Sequence, residues 1–416
     1  MLNFVFDIQL FAVQTTLLDT LGNDLSPEMK TYYDMRLLDY AQAELVHDQF
    51  GQKRDIPKGS GKKIEFRAFS PLAKAMVPLT EGVTPAGNKL DVTKIESEVA
   101  QYGDFIVQSD VLELTALDNT ILEATKILGR QAGLTLDTVT RNVLQSGTNV
   151  MYAPKVSGGS ETEVTSRAGL DATALLTVDL CEQITANLRA MNAPTINGDY
   201  IGIIHPYVAY DLMRDPDWRK PHEYVDTDNV YEGEIGKVGG IRFVQSTEAK
   251  IYRGDDLASD SRTLTLSANI SGAVTSISFS GGTVAEHALK GRKIQINGVV
   301  ATVSDNTASA ITVPSTNFGS GTSGTTKIYP GEGGAAGVSV FGCLFFGDGA
   351  YGVTEVAGGG LETIVKQKGS GGTEDPLNQR SSVGWKALKT AEILLPEYLI
   401  RLECCSKRYS ATAAAN

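Results

Sequence analysis

Between positions 62 and 114 apolar and charged residues alternate with a period of two in two arms. One arm is Ile64-Glu65-Phe66-Arg67 and the other, more loosely, is Phe105-Ile106-Val107-Gln108. Pro71, Pro78, Gly82, Pro85 and Gly87 punctuate the stretch between them. Alternation of this kind marks half-buried strands, and the punctuation predicts a turn over 84–89. The spacing therefore predicts a long two-stranded excursion. A lone ribbon of two strands is marginal in water, because it has too little surface to bury against itself. Something must cover this one: its own core, or another molecule.

Around the ribbon the chain reads as α+β. Ser26-Pro27-Glu28 opens a helix, with Ser as cap, Pro at the first position and acid in the first turn. Leu37, Leu38, Ala41, Leu45 and Val46 then recur at helical spacing up to His47. After the ribbon, Thr120 with Glu123 forms a capping box. Ile121, Leu122, Leu128, Ala132, Leu136, Val139 and Val143 mark one face of the helix that follows, and Gly147 is its stop. Roughly 27 residues would span about 40 Å, longer than an ordinary globular helix.

A polar, turn-rich linker over 158–169 precedes a second lobe. It begins with a helix face of Cys181, Ile184, Leu188 and Met191 and a buried strand, Tyr200-Ile201-Gly202-Ile203-Ile204. His205 and Pro206 then open a helix carrying Val208, Leu212 and Met213. Over 255–337 the composition shifts to Ser, Thr, Gly, Val and Ile. Thr263-Leu264-Thr265-Leu266 and Ser276-Ile277-Ser278-Phe279 alternate, Ala310-Ile311-Thr312-Val313 supplies another strand, and Asn297-Gly298 predicts a type I′ hairpin. This stretch reads as a small all-β module, Ig-like or a small barrel. Strands near Cys343, Ile364, Val383 and Leu399 close the chain, and the small, polar tail over 410–416 is expected to be loose.

The 416 residues carry a formal charge of −12 with dispersed Lys and Arg. That pattern disfavours a nucleic-acid grip, whose affinity rests on clustered cations. No stretch approaches the length of a membrane span. The apolar opening Met1 to Ala12 is interrupted by Asp7 and lacks the basic start of a secretory signal. A short arm packing on a neighbour is one reading of it.

Catalytic patterns fail in turn. Gly347-Asp348-Gly349-Ala350-Tyr351-Gly352 fits G-x-G-x-x-G, but strand-like Val353-Thr354-Glu355-Val356 follows where a dinucleotide site needs a helix. Gly59-Ser60-Gly61-Lys62 lacks both the first Gly and the Ser or Thr of a phosphate loop. His47, His205, His222 and His287 lack metal-pair spacing, and His205 is expected at a strand end bonding backbone. Cys181, Cys343, Cys404 and Cys405 read as buried reduced thiols. No catalytic residue, cofactor or metal is expected.

Four segments in fixed order carry a family likeness. They are Leu79-Thr80-Glu81-Gly82-Val83-Thr84-Pro85; His205-Pro206 leading into Asp215-Pro216-Asp217-Trp218; Gly236-Lys237-Val238-Gly239-Gly240-Ile241-Arg242-Phe243; and Asp375-Pro376-Leu377-Asn378-Gln379-Arg380 running on to Trp385-Lys386. Together they resemble the major capsid proteins of tailed bacteriophages, specifically the family named for the coliphage N-four capsid protein. The resemblance implies a Hong Kong 97-type fold: 1–61 an N-terminal arm, 62–114 the extended loop and flanking strands, 115–157 a spine helix in a peripheral domain, 170–254 an axial domain, 338–370 its return, and 371–416 closing peripheral strands and tail. The stretch 255–337 departs from that pattern as an insertion.

The resemblance implies an icosahedral phage head of pentamers and hexamers in the virion, made in the bacterial host cytoplasm. It implies portal and scaffolding proteins as partners, double-stranded DNA enclosed without sequence-specific binding, and no membrane. Leu79, Thr80, Glu81 and Val83 at the loop tip become intersubunit candidates. Asp375, Asn378 and Arg380 have two readings, a self-bonded turn or an intersubunit site in which Arg380 grips a neighbour's carboxylate. The alternative from another class is a carbohydrate- or surface-binding oligomer with the β module as binder.

Overall fold

The computed structural model describes residues 37, 41, 45–54, 63–69, 72, 74, 76, 78, 82, 87–89, 92–109, 120–218, 236–354, 361–366, 377 and 379–416. Its spine is helix α1, Thr120–Leu144. Ala124, Leu128, Ala132, Leu136, Thr140 and Leu144 are buried at strict four-residue spacing, the ridge that packs a helix onto a sheet.

The first half of α1 lies on a three-stranded antiparallel sheet in the order Leu361–Lys366, Arg380–Lys389, Ala100–Ser109. Leu128, Ala132 and Leu136 meet Val383, Trp385 and Ala387 there, together with Leu37, Ala41 and Leu45. Leu37 and Ala41 are helical, as expected for the first helix; the rest of 26–44 lies outside the described residues. The end of α1 joins a second core with Ile201, Ile203, Leu344 and Phe346. The buried stripe differs from the apolar one read in the sequence: Leu122 is 36% exposed, whereas Thr125, Asp137, Thr140 and Arg141 are buried. Thr125 Oγ1 donates to Ile121 O of its own helix, while Asp137, Thr140 and Arg141 bond His47, Asp48 and Glu248 on other segments, so the packed ridge does not follow hydrophobicity alone.

The second core belongs to a seven-stranded mixed sheet. Its main path runs Val150–Tyr152, Leu399–Cys404, Val340–Phe346, Tyr200–Ile204, Ile241–Gln245, Lys237–Val238, and Ile251–Tyr252 pairs with Val340–Phe346. Tyr200 and Ile204 face one core with helices α2 (Val178–Ala190) and α3 (Pro206–Leu212), while Ile201 and Ile203 face the other. Burial on both sides accounts for the uninterrupted apolar runs here. Gly202 leaves room for the Phe345 ring, since a Cβ would lie 2.8 Å from it. In the structure Arg380–Lys389 joins the three-stranded sheet and Leu399–Cys404 the seven-stranded one.

Residues 264–330 form a separate seven-stranded sheet, antiparallel at every pairing. It curls around a core that includes Leu264, Ile277, Ile294, Ile311 and Ile328. Asn297 and Gly298 have φ of 50° and 81° between paired Ile296 and Val299, the geometry of a type I′ turn. A Cβ on Gly254 would collide with Pro330 and Glu332, so the two ends of the module touch.

The tail is docked, contrary to the expectation of a loose end. Ser339 N donates to Ser410 O at 2.7 Å, and Arg253 Nη1 donates to Ala413 O at 2.6 Å. Asn416 Oδ1 accepts from Ile251 N at 2.9 Å. Small residues permit this close approach, and composition carries no trace of the bonds they make.

Candidate assembly surfaces

Strands Lys63–Phe69 and Val92–Glu98 pair antiparallel from Lys63 opposite Glu98 to Phe69 opposite Val92. They form a sheet of two strands only. Ile64 and Phe66 turn inward against Leu394, and Gly352 admits the Phe66 ring where any Cβ would collide with it. Ser97 Oγ and Thr390 Oγ1 lie 2.5 Å apart, fixing the base. On the other face Lys63–Glu96 and Lys94–Glu65 bridge across the strands at 3.1 and 3.2 Å, both exposed. Such pairs contribute under about 1 kcal/mol each, so the anchored apolar face holds the ribbon. Beyond its base every described residue is exposed, Leu72 at 58% and Met76 at 80% among them.

The three-stranded sheet turns one face to α1 and the other to solvent. Phe105, Gly384 and Ile364 lie in one row across the outer face. Phe105 is 66% exposed and Val107 51%, and Ile364 is also exposed. A Cβ on Gly384 would stand 2.7 Å from the Phe105 Cβ, so this glycine makes the floor of a depression of about 810 Å³. Lys366, Arg380 and Lys386 border it, and Lys386 bridges Glu362 at 2.9 Å. An apolar patch rimmed by charge is the usual form of a contact surface.

Where ribbon, α1 and closing strand converge, buried polar groups lock them. Lys389 pairs with Asp48, whose Oδ1 accepts from Thr140 Oγ1 at 2.6 Å. His47 N donates to Asp137 Oδ1 at 2.7 Å, and His47 O accepts from Tyr351 Oη at 2.5 Å.

Of the residues singled out in the sequence, Leu79, Thr80, Glu81, Val83, Asp375 and Asn378 lie outside the described residues. Arg380 stands exposed at the start of its strand, opposite Ser109, on the rim of the depression. The reading missed Phe105, Val107 and Ile364. Their signal was that both phases of Phe105-Ile106-Val107-Gln108 hold apolar residues, which leaves one phase exposed whichever way the strand faces.

His205 Nδ1 accepts from Tyr207 N at 3.1 Å and caps α3, and burial lowers its pKa to about 4. It is a neutral capping group. Burial pushes the thiols of Cys181 and Cys405 up to about 12, which leaves them protonated and unreactive. Gly347 is followed by strand Tyr351–Thr354, and a Cβ there would collide with Pro194 O. Its glycine serves packing.

A family model described as phage capsid protein matches residues 28–278. The fold is also that of solved phage capsids. The capsid of Ralstonia phage GP4 superposes with a TM-score of 0.52 at 12% identity, covering 88% of this chain and 89% of the other. The cyanophage Pam1 capsid gives 0.51 at 12% identity, covering 84% and 87%. The cyanophage P-SCSP1u capsid gives 0.50 at 15% identity, covering 85% of each. No curated protein sequence matches the chain.

Proposed function

The chain belongs to the phage capsid protein family, and from that premise we propose that it is the major capsid protein of a tailed phage, of the coliphage N-four-like group. Its role is structural. Copies join into pentamers and hexamers that close an icosahedral head around double-stranded DNA, with portal and scaffolding proteins as further partners.

The observation that carries this reading is the ribbon, anchored at its base and exposed at every described position beyond it. A neighbouring copy offers the cover it lacks, and the outer face around Phe105, Gly384 and Ile364 has the matching apolar character. Leu79, Thr80, Glu81, Val83, Asp375, Asn378 and Arg380 are the proposed contact residues. Unlike surfaces meet head to tail and close by rotation into rings. Many modest contacts then sum to a durable shell.

The charge of −12 favours a container whose wall repels the packaged polymer. Residues 255–337 act as an outward module, attached through ends that touch. Light scattering on the purified full chain tests the reading. Rings or larger particles growing with concentration are expected, and a monodisperse, folded monomer at every concentration and salt overturns it.

A further inference from the structure

Strand Ala100–Ser109 is a margin of the three-stranded sheet, paired on one side only, with Arg380–Lys389. Phe105 N donates to Asp104 Oδ1 at 2.8 Å, so this N–H points away from the sheet. In an antiparallel strand the N–H and C=O of every second residue turn the same way. Gln101, Gly103, Phe105 and Val107 therefore aim their backbone groups outward, and all four residues are exposed. Among the described residues, no backbone hydrogen bond reaches this margin. Free margins are usually kept short or charged, because an open row of donors and acceptors recruits further strands. The rest of this molecule obeys that rule. The other marginal strands among the described residues have four residues or fewer, or carry at least two charged side chains. Lys63, Glu65 and Arg67 guard one ribbon strand, Lys94, Glu96 and Glu98 the other, and Glu362 and Lys366 the far side of this sheet. Ala100–Ser109 has ten residues and a single charge, Asp104. That carboxylate is turned back on its own chain, its Oδ2 accepting from Gln131 Nε2 at 2.6 Å.

The strand also fits itself. Set antiparallel to a second copy about Phe105, it places Phe105 opposite Phe105, Gly103 opposite Val107 and Asp104 opposite Ile106. Residues 103, 105 and 107 then meet their counterparts as hydrogen-bonded pairs, and a neighbouring carbonyl takes over the Phe105 N–H from Asp104. Moving the axis to Asp104 would set two carboxylates face to face, which is destabilising. Arg380 and Lys386 lie one strand further back. Their counterparts across the axis are three strand spacings away, about 14 Å, beyond the screening length at physiological salt. We infer that Ala100–Ser109 pairs edge to edge with the same strand of a second copy across a two-fold axis, joining two three-stranded sheets into one of six strands. A two-fold contact is self-complementary, unlike the head-to-tail contacts within a ring, so it links a subunit of one ring to a subunit of another. This rests on the capsid reading and adds to it a contact by which rings join into a shell. The added strand meets the margin of the sheet, which leaves the outer face around Phe105 open to a neighbour's ribbon.

The test has two arms. In the first, amide hydrogen exchange is compared between particles of the full chain and subunits dissociated from them. The Gly103 and Val107 amides should exchange about a hundredfold more slowly in particles, and equal rates overturn the inference. In the second, Phe105→Cys reads the axis. Hydrogen-bonded pairs hold their Cα atoms about 5.5 Å apart, inside the range a disulfide spans. Mild oxidation should therefore join two Phe105→Cys chains, whereas Ile364→Cys chains, altered two strands from the axis, should stay single. Slowed amides without a preferential Phe105→Cys cross-link mean that some other strand, such as a neighbour's ribbon, covers the margin, and that outcome overturns the two-fold pairing. Wild-type chains that never form particles count against the capsid reading instead. The Phe105→Cys cross-link needs only two copies, so in that case it still decides the pairing. If Phe105→Cys fails to fold, the wild-type amides decide.

Discussion

Lys389 is fully buried, and its partner Asp48 comes from a segment more than three hundred positions earlier. Burial lowers the Lys389 pKa while the Asp48 charge acts to hold the proton on. Removing the cation leaves Asp48 buried without a counter-charge, which costs about 3–5 kcal/mol. Lys389→Met should lower the unfolding free energy by that amount in urea titration, and adding Asp48→Asn should recover part of it. A loss below about 0.5 kcal/mol, typical of an ordinary surface change, would mean the pair is solvated.

His205 gives a pH signature. Its folded pKa, about 4, lies below the ordinary 6.5, so the unfolded chain takes up the proton first as pH falls. The contribution is intact above 6.5 and is lost as pH drops towards 4. His205→Asn retains an acceptor for the helix cap and should show a smaller drop in melting temperature between neutral and mildly acid pH. Equal drops in both proteins would contradict the assignment.

At the scale of elements, the ribbon and the outer sheet face separate folding from assembly. Replacing residues 79–89 by a short Gly-Ser turn should leave subunit circular dichroism nearly unchanged while particles fail to form. Unfolding of the subunit would mean the ribbon tip packs on its own core. Phe105→Asp removes an exposed ring and should change subunit stability by less than about 0.5 kcal/mol, yet it should abolish particles in sedimentation. An assembly-competent Phe105→Asp chain would remove the sheet face from the interface.

These elements were legible to different degrees. Ile64 and Phe66 alternate with charges, so their strand and its buried face follow from period two. Asn297-Gly298 demands left-handed backbone, so its hairpin follows from two residues. Phe105 is different, because apolar residues on both phases conceal which one meets solvent. The tail was opaque: Ser410 and Ala413 are held through their backbone carbonyls, which no pattern of their own side chains encodes. Thr140 and Asp137 were missed because their burial depends on partners ninety or more positions away.

For the whole molecule, the touching ends of the 255–337 module at Gly254 and Glu332 make it separable. Excising residues 255–331 with a short Gly-Ser bridge removes Gln295 Nε2 from Ala168 O at 2.8 Å, Arg262 Nη2 from Gly337 O at 2.7 Å, and Arg262 Nη1 from Gly254 O and Lys293 N from Glu332 Oε1, both at 3.2 Å, but no core residue of the host lobe. Closing so short a gap is entropically cheap. The shortened protein should stay soluble and assemble, and insolubility would show that the module is integral. The central claim is that the uncovered ribbon is covered by another copy. Its most direct test is electron cryomicroscopy of purified full chain. The account predicts rings of five and six subunits with ribbon density lying on the neighbouring subunit. Monomers, or particles in which each ribbon folds over its own subunit, would contradict it.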